Sequence, residues 1–198
     1  MYQNCIKRIL DVLISLIGIL LLIIVLIPVS LLIKKEDSGS IFFNSKRLGK
    51  NMENFTMFKF RTMKENAPDI RNSDGTTFNS EQDDRVTKIG KFLRKTSIDE
   101  LPQFINVLKG DMSLIGPRPS PLGNKDMYPK LFFKKYDVKP GITGYNQATL
   151  RNSATMEERI KNDAFYSENI SFILDCKIFI WTIKSVLKRK NINSDTNI

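Results

Sequence analysis

The stretch Val12–Ile33, VLISLIGILLLIIVLIPVSLLI, runs for 22 residues without a charge, and its reading decides how the rest of the chain is arranged. As a helix it would be about 33 Å long, enough for the hydrocarbon core of a bilayer. It exceeds the apolar core of a cleaved signal, and Lys34-Lys35-Glu36-Asp37 follows it in place of a small-residue cleavage site. The stretch is a membrane element. Lys7-Arg8 and Lys34-Lys35 flank it, so a simple crossing leaves one basic pair on the non-cytoplasmic side. Pro28 removes a backbone donor and divides the run into 16 residues before it and five after. A Pro-kinked crossing and a bent helix that returns to its own side are both open on this pattern. Ser30 can satisfy a freed backbone group in either.

Beyond this segment, composition narrows the chemistry. The 198-residue chain has no histidine, which removes His-based triads and His metal sites. Cys5 and Cys176 are far apart and form no C-x-x-C pair, so neither a zinc cluster nor a disulfide framework is indicated. There is no phosphate-loop or dinucleotide-binding glycine motif. The formal net charge is +10. Residues 1–33 hold only Lys7, Arg8 and Asp11, so the following segment carries +9. Such a surface suits phosphate-bearing partners: anionic lipid, nucleic acid or a nucleotide substrate.

Residues 40–63 read as a β-hairpin, with Phe58 and Phe60 on one strand face and Met57, Lys59 and Arg61 on the other. Two cations on one strand face are either solvated or hold a bound phosphate. Residues 64–84 are polar and aperiodic, a functional lid or disorder. Leu101, Phe104, Ile105 and Leu108 recur at helical spacing, and Lys109-Gly110 closes that helix. DMSLI follows as a strand, then GPRPSP holds Arg118 between two prolines that fix their own φ near −65°. The aromatics and lysines of YPKLFFKKYD suit a headgroup interface. SFILDCKIFIWTIKSVLKRK is a mostly apolar helix, with core packing for most of it and interfacial seating for Trp181, Lys184 and Lys188.

Just before the 101–108 helix, TSIDELPQ sets Asp99 beside Glu100. Ser97-x-x-Glu100 has the form of a capping box, and first-turn acids suit the helix dipole. Pro102 conflicts with that cap, because at the fifth helical position its ring would meet the carbonyl of Ile98. The helix therefore starts nearer Asp99 or is kinked there.

Taken together, Lys7-Arg8-x-x-Asp11, FKFRTM, VTKIGKFLRKTSIDELPQFINVLKGDMSLIGPRP and KPGITGYNQ resemble the monotopic phosphoglycosyl transferases. These are bacterial sugar transferases that begin capsule, O-antigen and glycoprotein glycan assembly, and the resemblance covers residues 5–190. It implies transfer of a sugar 1-phosphate from a UDP-sugar to a membrane polyprenyl (undecaprenyl) phosphate, with release of UMP. By that resemblance Asp99 is the nucleophile that forms an aspartyl-phosphosugar intermediate, and Glu100 helps it hold Mg²⁺. Lys59, Arg61, Arg94 and Arg118 are the candidates for holding phosphates. Arg151 is a candidate for the nucleotide end and Asp175 for a supporting acid. The resemblance also implies a re-entrant helix broken near Pro28, although Ile27 stands where relatives carry a small polar residue.

The expected fold is α+β and helix-rich. A re-entrant membrane helix occupies 1–35, followed over 36–190 by a catalytic domain on the cytoplasmic face of the bacterial inner membrane. That domain has a small β-hairpin, short strands and interfacial helices, and 191–198 is a frayed tail. The competing class is a membrane-anchored adaptor that binds anionic lipid or nucleic acid without chemistry. No nucleic-acid motif accompanies the anchor, and an adaptor has no need of the acid pair. Sugar identity and oligomeric state are not written in these motifs.

Overall fold

Every third or fourth residue of the apolar segment turns to the same side. In the computed structural model, which describes residues 2–70, 78, 80, 82–123, 128–150 and 153–188, helix α1 spans Lys7–Asp37 and buries Asp11, Ser15, Gly18, Leu22, Val29 and Ile33. Those positions form one stripe along a helix about 46 Å long. The opposite side, including Leu13, Ile17, Leu20, Ile24, Ile27 and Leu31, is exposed apolar surface, the kind that marks a membrane contact.

Both ends of α1 are bonded to the same domain. At the first end, Arg8 donates to the carbonyls of Val107 and Leu108 at 2.6 and 2.9 Å. Asp11 accepts from Ser113 Oγ and Leu114 N at 3.1 and 3.0 Å. At the other end, the Glu36 carboxylate accepts from Lys88 N and Ile89 N at 2.6 and 2.9 Å. A crossing helix would carry one end away from the domain. Here both ends return to it, the geometry of a re-entrant-type element. Pro28 lies inside α1 and the helix continues past it, so the proline does not divide the segment in two.

The hairpin consists of β1 (Phe42–Leu48) and β2 (Asn54–Phe60), antiparallel, with β4 (Ser120–Pro121) added at the outer edge of β1. Helix α2 (Lys88–Thr96) and α3 (Gln103–Lys109) pack beneath it. A second, parallel pair joins β3 (Ser113–Ile115) to β5 (Gly141–Thr143). Helices α4 (Tyr145–Thr149), α5 (Met156–Glu168) and α6 (Phe172–Lys188) complete the α+β, helix-rich domain. Each face of β2 meets a different cluster. Phe55 and Met57 pack with Val107 and Met112, while Phe60 joins Leu22, Val29, Ile33 and Leu93 around α1.

Three expectations change. Arg61 lies one residue beyond β2 and does not share a ligand-facing surface with Lys59. Its guanidinium is bidentate on Asp37, at 2.6 Å for one pair, and also donates to the Ser40 and Met63 carbonyls. YPKLFFKKYD supplies core as well as surface, because Phe132 and Tyr136 pack on Leu48 and Ile160, and Lys135 is buried against Asp163 at 2.8 Å. Helix α6 reverses the expected balance: Ile178 is buried, whereas Phe172, Ile173, Phe179, Ile180 and Ile183 are all exposed. The tail, Arg151 and the Lys188 side chain lie outside the described residues, as do 71–77, 79 and 81 of the polar loop.

Arg61 thus ties the end of α1 to β2. Arg61→Ala removes a buried guanidinium that bonds the more exposed Asp37 and the Ser40 and Met63 carbonyls, and is expected to cost about 2 kcal/mol, read as a lower unfolding temperature in detergent. An unchanged melt with weakened substrate binding would return Arg61 to the phosphate-holding group.

Candidate active site

Asp99 owes its position to a helix that stops early. Thr87 caps α2 by accepting from Gly90 N, and α2 ends where Ser97 takes a left-handed conformation, φ 57°. The Ser97 N–H folds back onto the Leu93 and Arg94 carbonyls. Ser97 is therefore the terminus of one helix and not the cap of the next. Residues Ile98–Glu100 make a single 3₁₀ turn, and α3 begins only after Pro102, where a proline costs no hydrogen bond. This resolves the conflict at Pro102, and it places Asp99 in a turn with its side chain directed inward.

Asp99 is 6 % exposed. Other buried aspartates are bonded: Asp11 to β3, Asp83 to Arg85, Asp163 to Lys135, and Asp175 to Tyr2, Lys7 and Tyr166. Among the described residues, nothing hydrogen-bonds or ion-pairs with the Asp99 carboxylate. Burial and the adjacent Glu100 push its pKa up to about 6, against the opposing pull of Lys59, Arg94 and Arg118. Loss of solvent in turn pushes Lys59 and Arg94 below their ordinary values. Burying an acid without a hydrogen bond is costly, and a cluster of desolvated charges of this kind is a functional-site signature.

Beside Asp99 opens a cleft lined by Lys59, Glu100, Gln103, Arg118, Met57 and Arg47, with Pro119, Gly141 and Ile142 closing one side. Its walls are fixed by backbone. Asn106, fully buried, accepts from Phe58 N and donates to the Thr56 carbonyl, holding α3 against β2. Arg94 Nε donates to Thr62 Oγ1 at 2.9 Å. The loop carrying Arg118 rests on β5 through Gly116 N to Thr143 O and Gly141 N to Pro117 O, at 2.8 and 3.0 Å. Arg118 reaches Glu100 at 3.5 Å and remains mostly exposed, so its guanidinium can exchange that carboxylate for a phosphate.

Comparison with known proteins supplies the family of this chain. Residues 2–189 match the family described as bacterial sugar transferase. The chain belongs to that family. It is 43 % identical over 189 residues to the galactosyl transferase CpsE of Streptococcus agalactiae serotype III, covering 91 % of this chain and 42 % of that protein. It is 40 % identical over 166 residues to the uncharacterized sugar transferase EpsL of Bacillus subtilis, covering 84 % and 79 %. An Aeromonas hydrophila UDP-N-acetylgalactosamine-undecaprenyl-phosphate N-acetylgalactosaminephosphotransferase is 39 % identical over 188 residues, covering 92 % and 44 %. The chain thus spans less than half the length of two of these relatives.

Within this sugar transferase fold, Lys59, Arg94 and Arg118 gather around Asp99 and Glu100, while Arg61 is committed to α1. Asp175 does not reach the cluster. It is a buried anchor that accepts from Tyr2 and Lys7 at 2.6 Å and from Tyr166 at 2.8 Å, fastening the start of the chain to α6. Arg47 and Gln103 line the cleft and were not distinguished by the sequence. Among the described residues, no three acids or cysteines gather as a metal site. Two adjacent carboxylates fit Mg²⁺ nonetheless, since that ion commonly takes one or two carboxylates and completes its shell with water and substrate phosphate.

Proposed function

We propose that this chain transfers a sugar 1-phosphate from a UDP-sugar to a membrane polyprenyl phosphate at the cytoplasmic face of the bacterial plasma membrane, by way of Asp99. The observation that carries this is the buried Asp99 carboxylate, which has three cations around it and no hydrogen-bond partner among the described residues. Donor and acceptor are both anionic and repel each other. Two successive displacements at one carboxylate avoid bringing them together at once.

In the first displacement an Asp99 oxygen bonds to the phosphorus that bears the sugar. The bond from that phosphorus to the bridging oxygen breaks, and UMP leaves with the electron pair. Lys59, Arg94 and Arg118 hold the phosphoryl oxygens as charge redistributes. In the second, an oxygen of polyprenyl phosphate bonds to the same phosphorus and the Asp99 carboxylate departs. The cluster also keeps water from the acyl phosphate, because Asp99 lies nearly out of solvent. Mg²⁺ bound by Asp99 and Glu100 would supply neutralisation of the donor phosphates and the leaving UMP. The exposed apolar sides of α1 and α6 seat the domain where the lipid-linked acceptor is found. An adaptor that binds anionic lipid or nucleic acid has no use for a desolvated acid of this kind.

Incubating the detergent-solubilised protein with a panel of UDP-sugars, polyprenyl phosphate and Mg²⁺ is expected to release UMP with at least one donor. Omitting the acceptor should leave one sugar phosphate on the peptide that contains position 99, seen as added mass. Absence of UMP across the panel would defeat the proposal.

A further inference from the structure

The strand register gives the cleft a direction. Arg47 pairs with Phe55 and Phe43 pairs with Lys59, so Arg47, Phe43, Phe55, Met57 and Lys59 share one face of the hairpin. Lys59 and Arg47 are therefore separated by four residues of strand, about 13 Å. Met57, paired with Ser45, lies midway between them. At one end, Lys59 stands over the Phe43 ring at 5.5 Å, and its neighbour Phe60 packs on Ile33 of the membrane helix. At the other, Leu48, next to Arg47, packs on Phe132 and Ile160. Arg47 is half-buried there, with Nε donating to Ser45 Oγ at 3.2 Å, and Pro121 of β4 pairs beside it.

We infer that Arg47 binds the nucleoside end of the donor, the part that lies beyond the pyrophosphate and farthest from Asp99. This rests on the proposed transfer. The lipid-linked acceptor reaches the cluster from the side of α1, so the soluble leaving group needs the opposite end. A separation of about 13 Å exceeds a pyrophosphate and leaves room for a nucleoside beyond it. The face between is suited to that body: Met57 is apolar, and the buried Gln103 carries an amide able to donate and accept. A guanidinium at the far end can donate to a base carbonyl.

Direct UMP binding tests this without requiring turnover. Wild-type protein in detergent is titrated with UMP by calorimetry, alongside Arg47→Ala and the milder Arg47→Gln. Each variant is expected to bind UMP about tenfold more weakly and to keep the unfolding temperature of the wild type. In turnover assays the KM for the UDP-sugar should rise by a similar factor while kcat changes little, and inhibition by added UMP should weaken in step. UMP affinity unchanged in both folded variants overturns the inference, as does a wild type that fails to bind UMP. Loss of UMP affinity only in step with unfolding also overturns it. A wild type that binds UMP through Arg47 yet transfers no sugar phosphate defeats the proposed transfer and leaves the nucleotide site standing.

Discussion

Asp99→Asn is expected to lower UMP release by at least about a thousandfold and, at the same time, to make the protein more stable at neutral pH. The two effects share a cause. In the native state the Asp99 carboxyl holds its proton up to about pH 6, against an ordinary value of 3.8. The folded state then binds more protons than the unfolded state between those values, so stability falls as pH rises from about 4 to 6 and stays lowered above. Above pH 6 the ionised acid costs the fold on the order of 3 kcal/mol, which asparagine does not. Thermal melts in detergent with metal chelated should therefore separate at pH 7.5, the variant melting higher, and converge near pH 4. A variant that melts lower at pH 7.5 would identify Asp99 as a structural partner of Lys59 and Arg94. In the wild type, kcat/KM should climb with pH through about 6 as the nucleophile ionises.

The same turn shows how far local sequence reaches. The motifs around Asp99 and Glu100 single them out as candidates, and the α+β class follows from hydrophobic periodicity. Their backbone is not legible. Ser97-x-x-Glu100 satisfies the capping pattern, but Ser97 is claimed by the helix before it, whose final carbonyls take its N–H. A choice between two adjacent helices depends on tertiary contacts, here Leu93 buried beside Phe60 and Ile33. Propensity cannot decide it.

Charged residues divide in the same way. Alternation places Lys59 and Arg61 on one face, which holds only while the strand lasts, and β2 ends at Phe60. Arg61 then meets Asp37, 24 positions earlier in the chain. Arg47 belongs to a run, SKR, that looks like an ordinary solvated strand, and only register and β4 bring it to the cleft. The apolar segment is unmistakable by length, yet its docking on the domain is made by single polar side chains near its ends. Arg8, Asp11 and Glu36 each bond to backbone groups some 50 to 100 residues away. No pattern within residues 1–37 contains those partners.

The second large effect is expected at a residue with no side chain. Gly141→Ala should cost about 3 kcal/mol or more and lower turnover at least about a hundredfold. A Cβ on Gly141 would fall inside contact distance of Gly116 N and Thr143 O, and 2.7 Å from Gly116 Cα. All three are backbone atoms, so no side-chain rotation relieves the overlap and β3 must move from β5. That movement breaks the bonds from Gly116 N to Thr143 O and from Gly141 N to Pro117 O, which hold the Arg118 loop in the cleft. Arg118 and Pro119 would shift relative to Glu100, and transfer depends on phosphate placement within about an ångström. Gly49→Ala is the matched control. Its nearest neighbour would be the Phe55 ring at 3.2 Å, which can yield, so its loss should be small in both melting and turnover. Equal behaviour of the two alanine variants would remove the glycine contact as the support of the Arg118 loop. A Gly141→Ala protein that melts lower yet turns over normally once folded would show that Arg118 tolerates displacement, and would shift the burden of phosphate binding to Lys59 and Arg94.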